Sequence, residues 1–329
     1  MDNFTHQNQF KSKKINYSMN VIKCLAIFAV ICLHCQIYKL GNFGLAVDGV
    51  SRFAVPFFFL ISGFYSFYLD DNYSIKKYKT RIIRLLKLIV IANAVYMIYF
   101  LITMPNYDIV AIFNINSCIN YLLYNISPTA GALWFLQALL YCYILFLVLK
   151  ILNINVNKLY YLIPILLIIN IILGEFSTFT GLTINKVYYR NFLFMGLPFF
   201  TLGYMIHDKE NKINKIFSNK ITILLVIVTL IIAIVEVLLY QNIQDLFLGT
   251  ILFTTALFIY CVNNPDTLNF KITGWIGSNL YVSMYVLHTL IILIITPYLN
   301  FNYFYPIIIF AITAIISTVI YLITSNFDS

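Results

Sequence analysis

Lys23 and His34 stand eleven residues apart in one apolar stretch. On an α-helix that spacing is about three turns, roughly 16 Å, and at about 100° per residue both fall near one stripe. A histidine held among apolar neighbours is a ready general base and can also act as a nucleophile. Asp48 and Arg52 follow at i,i+4, the spacing of a helical ion pair. The string Arg81-Ile82-Ile83-Arg84, with Lys76, Lys77, Lys79 and Lys87 close by, suits a multiply phosphorylated ligand, because an arginine fork grips phosphate through two parallel bonds. Ser62, Trp134, Gln137, Arg190, Asn191, Ser283, Tyr285 and His288 bring further polar chemistry into apolar surroundings.

Each of these has a plainer reading. His34 is also what a buried imidazole bonded to a neighbouring carbonyl looks like, and Lys23 a lysine that snorkels to an interface. The basic cluster around Arg81 and Arg84 doubles as a topology signal or an attraction to anionic lipid. Trp134, Tyr188 and Tyr189 have the character of interface anchors. The string Cys32-Leu33-His34-Cys35 invites a metal, but no second ligand cluster exists and adjacent helix positions point in different directions, so no metal is expected.

The elements that must position these residues follow from composition. Of 329 residues, 61% are hydrophobic and 10% charged, against roughly 45–50% and about 25% in soluble domains. Runs of about 20 apolar residues recur, the length that a hydrocarbon core of roughly 30 Å requires. Backbone polar groups cannot be left unpaired in lipid, and runs this long exclude barrel strands. The fold class is therefore all-α: a polytopic membrane helix bundle of about ten transmembrane helices. The expected spans are 20–38, 46–69, 81–103, 131–151, 159–174, 190–207, 220–240, 244–263, 276–296 and 304–324. The fifth is short and holds Pro164, and a tight turn near Gln241 to Asp245 joins the seventh and eighth. The organisation is a polar lead-in at 1–19, one membrane domain at 20–324 and a stub at 325–329. The first run is read as a retained helix rather than a signal peptide, since no small-residue cleavage site follows it.

Charge placement tests the count. With the N-terminus inside, the inner segments carry Lys11, Lys13 and Lys14, the cluster from Lys76 to Lys87, Lys150 and Lys158, the run from Lys209 to Lys220, and Lys271. The outer loops keep only Lys39, Lys186 and Arg190, and the stretch from Met104 to Gly131 has no Lys or Arg. Both termini are thus expected in the cytoplasm. The net charge of +9 is spread over these loops, which argues against nucleic acid as a partner. The six cysteines show no disulfide-like spacing and are expected as free thiols.

Taken in order, Lys-x10-His in the first span, SRFAVPFFFLISGF in the second, RIIR at the third, ALWFLQALL in the fourth, RNFLFMGLPFFTLGY in the sixth and YVSMYVLH in the ninth resemble the acyltransferase-3 family of integral membrane acyltransferases. The resemblance runs from about Tyr17 to Ile292. It implies transfer of an acyl group, usually acetyl, from cytoplasmic acyl-CoA to a hydroxyl of an extracytoplasmic or lipid-linked glycan, in the plasma membrane of a bacterial cell. By position, His34 matches the family's essential histidine, Lys23 the basic residue before it (usually Arg), and Arg81 and Arg84 the paired arginines. Arg52 lies in the Arg-containing stretch before the Phe-Phe-x-x-Ser-Gly core. Lysine at position 23 weakens bidentate phosphate contact. The hydrolase-like domain that some members carry is not expected.

The resemblance casts His34 as catalytic and Lys23, Arg81 and Arg84 as holding the CoA phosphates; from their place among the apolar runs, Arg52 is expected to join the catalysis and Asp48, Ser62, Trp134, Arg190 and His288 to contact the reacting substrate. Oxyanion stabilisation falls to Arg52, Ser62 or His288. Direct transfer and an acyl-histidine intermediate both remain open. Implied partners are acyl-CoA, an envelope glycan or lipid-linked sugar, the lipid bilayer, and a homodimer or polysaccharide-assembly proteins. Two rival readings stand beside it. The membrane halves of vancomycin-resistance serine racemases are similar around RFAVPFFF, which supports a transporter of a small polar solute such as serine. The third is an assembly subunit without its own activity.

Overall fold

A computed structural model describes residues 15–104, 108, 110, 114–182 and 184–327; Lys11, Lys13 and Lys14 lie outside them. The described residues form an all-helical bundle with no strand. The elements that matter are α1 (Tyr17–His34), α2 (Asn42–Ser51), α3 (Ala54–Phe64), α4 (Asp71–Thr103), α5 (Ile115–Tyr124), α6 (Trp134–Ile151), α7 (Leu162–Ile171), α8 (Leu197–Asp208), α9 (Asn219–Tyr240), α10 (Leu248–Asn263), α11 (Lys271–Asn279), α12 (Tyr281–Ile295) and α13 (Tyr305–Phe327).

Among the described residues seven helices are long and apolar enough to cross a membrane, and an eighth crossing follows if α11 and α12, bent by 82°, count as one. The expected spans 190–207 and 244–263 take shorter forms. The first is five residues of π-helix, Phe192–Gly196, running into α8, and the second is the 16-residue α10.

Four boundaries differ from expectation, each for a local reason. The first helix ends at His34 rather than near 38, because Gln36 turns into the left-handed region at φ 56°. The second span breaks at Arg52 and Phe53, just before Pro56, whose ring cannot accept a regular ladder behind it. The third begins at Asp71 instead of 81, with the Asp70 carboxylate capping the Tyr73 N–H at 2.5 Å. Arg81 and Arg84 therefore sit about three turns into α4 rather than at its start. The fifth span is not short: it runs Val156–Phe179 through a π-helical stretch at Ile172–Phe176.

The centre of the bundle is α3. Lipid tails are as apolar as leucine, so helices gain by packing closely rather than by hiding from solvent. Gly63 on α3 and Gly203 on α8 permit this: an added Cβ would meet the Phe200 carbonyl oxygen at 1.8 Å and that of Leu60 at 2.0 Å respectively. Around this seam aromatic rings interlock, Phe59 with Phe135 at 4.6 Å, Phe57 with Phe258 at 5.6 Å and Phe146 with Phe200 at 4.7 Å.

Candidate active site

The ten candidate residues gather in two groups at different levels of the bundle. Lys23, Ser62, Arg81 and Arg84 line one cavity of about 650 Å³, a size typical of small-molecule sites. Its rim is polar, with Asn16, Asn20 and Arg84; Phe135 and Tyr285 lie furthest from that rim along their helices. Lys23 reaches it from α1, its Nζ 3.2 Å from Asn20 Oδ1 and 5.2 Å from the Tyr281 ring centre.

The two arginines differ in freedom. Arg81 is pinned: Nη1 donates to Ser66 Oγ at 2.6 Å, and Nη2 to the Tyr65 carbonyl at 2.7 Å and the Tyr68 hydroxyl at 2.8 Å. The rings of Tyr68 and Tyr143 flank its guanidinium at 5.7 and 5.6 Å. Burial pushes the Tyr68 phenol above its ordinary range, against the opposing pull of the Arg81 charge, so Tyr68 stays a neutral hydroxyl. Arg84 is exposed at the rim, with no acidic partner among the described residues. Ser62 donates to the Phe58 carbonyl of its own helix at 2.8 Å and lines the cavity.

The second group surrounds the C-terminal end of α1. The rings of His34 and His288 lie 4.9 Å apart, and the Tyr285 ring is 5.7 Å from that of His288. Tyr285 lines the cavity, whose wall therefore stands one ring from His288 and two from His34. His34 is exposed by surface area yet sits deep in the protein mass.

The charges around it are paired. Arg52 donates from Nε and Nη2 to one oxygen of Asp48, at 3.0 and 2.8 Å, and from Nη1 to Asp245 at 2.9 Å. Asp245 also faces Arg190 at 3.7 Å, and the Arg190 guanidinium lies 5.5 Å from the Trp134 ring centre. Arg52 and Arg190, with Lys186 and His288, are within electrostatic reach of His34. Asp48 is fully buried, and its second oxygen has no hydrogen-bond partner among the described residues.

Two aromatic readings are corrected. Trp134 and Tyr189 are buried, at 7% and 6% exposure, so neither is an interface anchor; Trp134 packs beneath Arg190 and against Phe59. Tyr188 is half exposed. The sequence reading passed over Asp245, which appeared only as one end of a turn, and Tyr96, one of 26 tyrosines. No local pattern marks either, because their partners lie 193 residues away in the chain.

An all-helical membrane protein with paired charges, two facing histidines and a basic-rimmed cavity inside the bundle is the class that this geometry defines. The model of an acyltransferase domain, that of the acyltransferase-3 family, matches residues 16–325. The chain belongs to that family and is a multi-pass membrane acyltransferase. No curated protein and no solved structure matches it significantly.

Proposed function

We propose that the protein moves an acetyl group from cytoplasmic acyl-CoA to a hydroxyl of a cell-envelope glycan or lipid-linked sugar, working in the bacterial plasma membrane. In this reading the chain crosses ten times with both termini in the cytoplasm, and the basic rim faces the CoA pool. The observation that carries it is the cavity. It joins Lys23, Arg81 and Arg84 at one end to Tyr285 at the other, beside the histidine pair.

Arg84, free at the rim, takes CoA phosphate together with Lys23, while Arg81 holds the wall in shape. The pantetheine arm runs along the apolar wall and brings the thioester toward Tyr285 and His288. The acceptor enters from the opposite end, where Trp134, Arg190 and the unpartnered oxygen of Asp48 meet it. His34 takes the proton of the acceptor hydroxyl as its oxygen attacks the thioester carbonyl. A C–O bond forms; as the tetrahedral intermediate collapses the C–S bond breaks, and the proton passes from His34 to the departing sulfur. Arg52, balanced by two carboxylates, steadies charge beside the reacting centre.

The test uses protein in nanodiscs, with acetyl-CoA binding and slow turnover as readouts. His34→Ala is expected to keep binding and lose turnover by about 100-fold or more, the scale of a lost general base. A folded wild type that binds no acetyl-CoA sinks the donor assignment and favours solute movement.

A further inference from the structure

Tyr96 belongs to α4, far in sequence from α12, and is fully buried. Its hydroxyl donates to the Val286 carbonyl at 2.8 Å and accepts from the Leu290 N–H at 3.1 Å. Those two groups are the ends of a single i→i−4 rung of α12. The same hydroxyl contacts Thr289 Oγ1. A side chain set into a helix ladder alters that turn and fixes the helix's rotation against its neighbour. The turn clasped here, 286–290, is the one that carries His288.

His288 is fully buried, and its Nδ1 lies 2.6 Å from the Tyr285 carbonyl oxygen. A carbonyl only accepts, so Nδ1 bears the proton and, in the neutral ring, Nε2 is the bare acceptor. Nε2 is buried with no hydrogen-bond partner among the described residues. Such a group is not expected to stay unpaired in a low-dielectric interior unless a donor visits it. The nearest other ring is His34.

We propose that Tyr96 is a positioning residue. Its hydroxyl clasp on α12 holds His288 with Nε2 as a fixed acceptor for a His34 N–H, so that the other His34 nitrogen is the one presented to the acceptor hydroxyl. This rests on the acyl-transfer reading of the site and deepens it. When His34 takes the substrate proton, the imidazolium is held by its hydrogen bond to His288 Nε2 until the proton leaves with the CoA sulfur. His288 itself gains and loses nothing. The logic is that of a base oriented by a third group, and it gives His288 the part of acceptor rather than oxyanion donor.

The test is histidine tautomer state read by 15N NMR on the full chain in nanodiscs, with four histidines to resolve and His288→Asn to assign the signal. The wild type is expected to show His288 protonated on Nδ1 alone. Tyr96→Phe, which removes one oxygen, is expected to mix the two tautomers and to lower kcat about tenfold or more. It should leave the acyl-CoA KM within about twofold, because Tyr96 does not line the donor cavity. Thr289→Val, which keeps both backbone bonds of the clasp, is expected to retain the wild-type tautomer. Wild-type His288 protonated on Nε2 overturns the proposal even if the variant fails to fold, as does a Tyr96→Phe protein with unchanged tautomer and kcat. A tautomer that shifts as expected in a protein without acyl-CoA turnover leaves the clasp standing and removes the acyl-transfer reading instead.

Discussion

The helices that carry the site and the helices that face lipid differ in opposite directions from what a soluble protein would show. In α9 and α13 the most apolar windows are only 22% and 17% buried within the protein. In α1 and in the α2–α3 span, the figures are 61% and 72%, yet mean hydropathy is lower, 1.7 and 1.6 against 3.1 for α9. The bilayer is the solvent, so the driest helices stand outermost, and polar side chains survive where other helices surround them. Lys23, His34, Asp48, Arg52 and Ser62 all lie on the two inner spans. Among these four spans lower hydropathy goes with the interior; α4, which brings Arg81 and Arg84 to the cavity, is only 22% buried in its apolar window and reaches the site from the rim.

The inner seam should therefore break first. Gly203→Leu places a Cβ where the Leu60 carbonyl oxygen lies 2.0 Å away, against backbone that cannot yield. The expected cost exceeds about 4 kcal/mol, and fluorescence-detected size exclusion should show little or no monodisperse protein. A normal elution profile would mean that α3 and α8 are not packed at that seam. Next comes the charge network. Arg52→Met strands Asp48, at 1% exposure, and removes the shorter of the two arginine contacts of Asp245. The loss should be about 3–5 kcal/mol, since the remaining carboxylates keep their burial without their partner. Thermal unfolding measured against wild type reads it; Asp48→Asn in the same background should recover part of the loss by removing the stranded charge.

The same contrast explains what could be read from the chain. Apolar runs located the helices because lipid imposes one requirement on every segment, and the ordered motifs pointed to the residues that now group around the cavity and the histidine pair. The start of α4 was missed because its first turns carry Lys76, Lys77 and Lys79, and hydropathy is blind to a helix that continues past the apolar stretch. The end of α1 depended on Gln36 taking a left-handed conformation, which glutamine does not advertise. Trp134 and Tyr189 were mistaken for anchors because a ring at the end of a span has the same composition whether it faces lipid or protein. Asp245 and Tyr96 acquire their meaning only when α10's leading loop meets Arg52 and α4 meets α12. Those are tertiary facts without a local trace.

The two basic residues of the RIIR string sharpen the comparison within one helix. Arg84→Gln, at the exposed rim, should raise the acyl-CoA KM about tenfold, equivalent to about 1.4 kcal/mol, and leave thermal stability unchanged. Arg81→Gln should lower stability as well, since it releases Ser66, Tyr65 and Tyr68 together. Equal effects of the two substitutions on both readouts would remove the distinction between a ligand contact and a wall support.

The smallest effect is expected on the outermost surface. Ile231 is 54% exposed on α9, a helix long and apolar enough to cross a membrane, so the expected neighbours of its side chain are lipid tails. Replacing it by alanine removes methylene contacts in both the folded bundle and the inserted but unassembled helix, so the two states lose nearly the same dispersion energy. Ile231→Ala should change stability by less than about 0.5 kcal/mol and leave turnover unaltered. The same truncation in a soluble core would leave a cavity and cost about 2–5 kcal/mol. A loss of that size at Ile231 in a nanodisc would mean that protein, and not lipid, covers this face of α9, and the ordering of inner and outer helices would have to be redrawn around it.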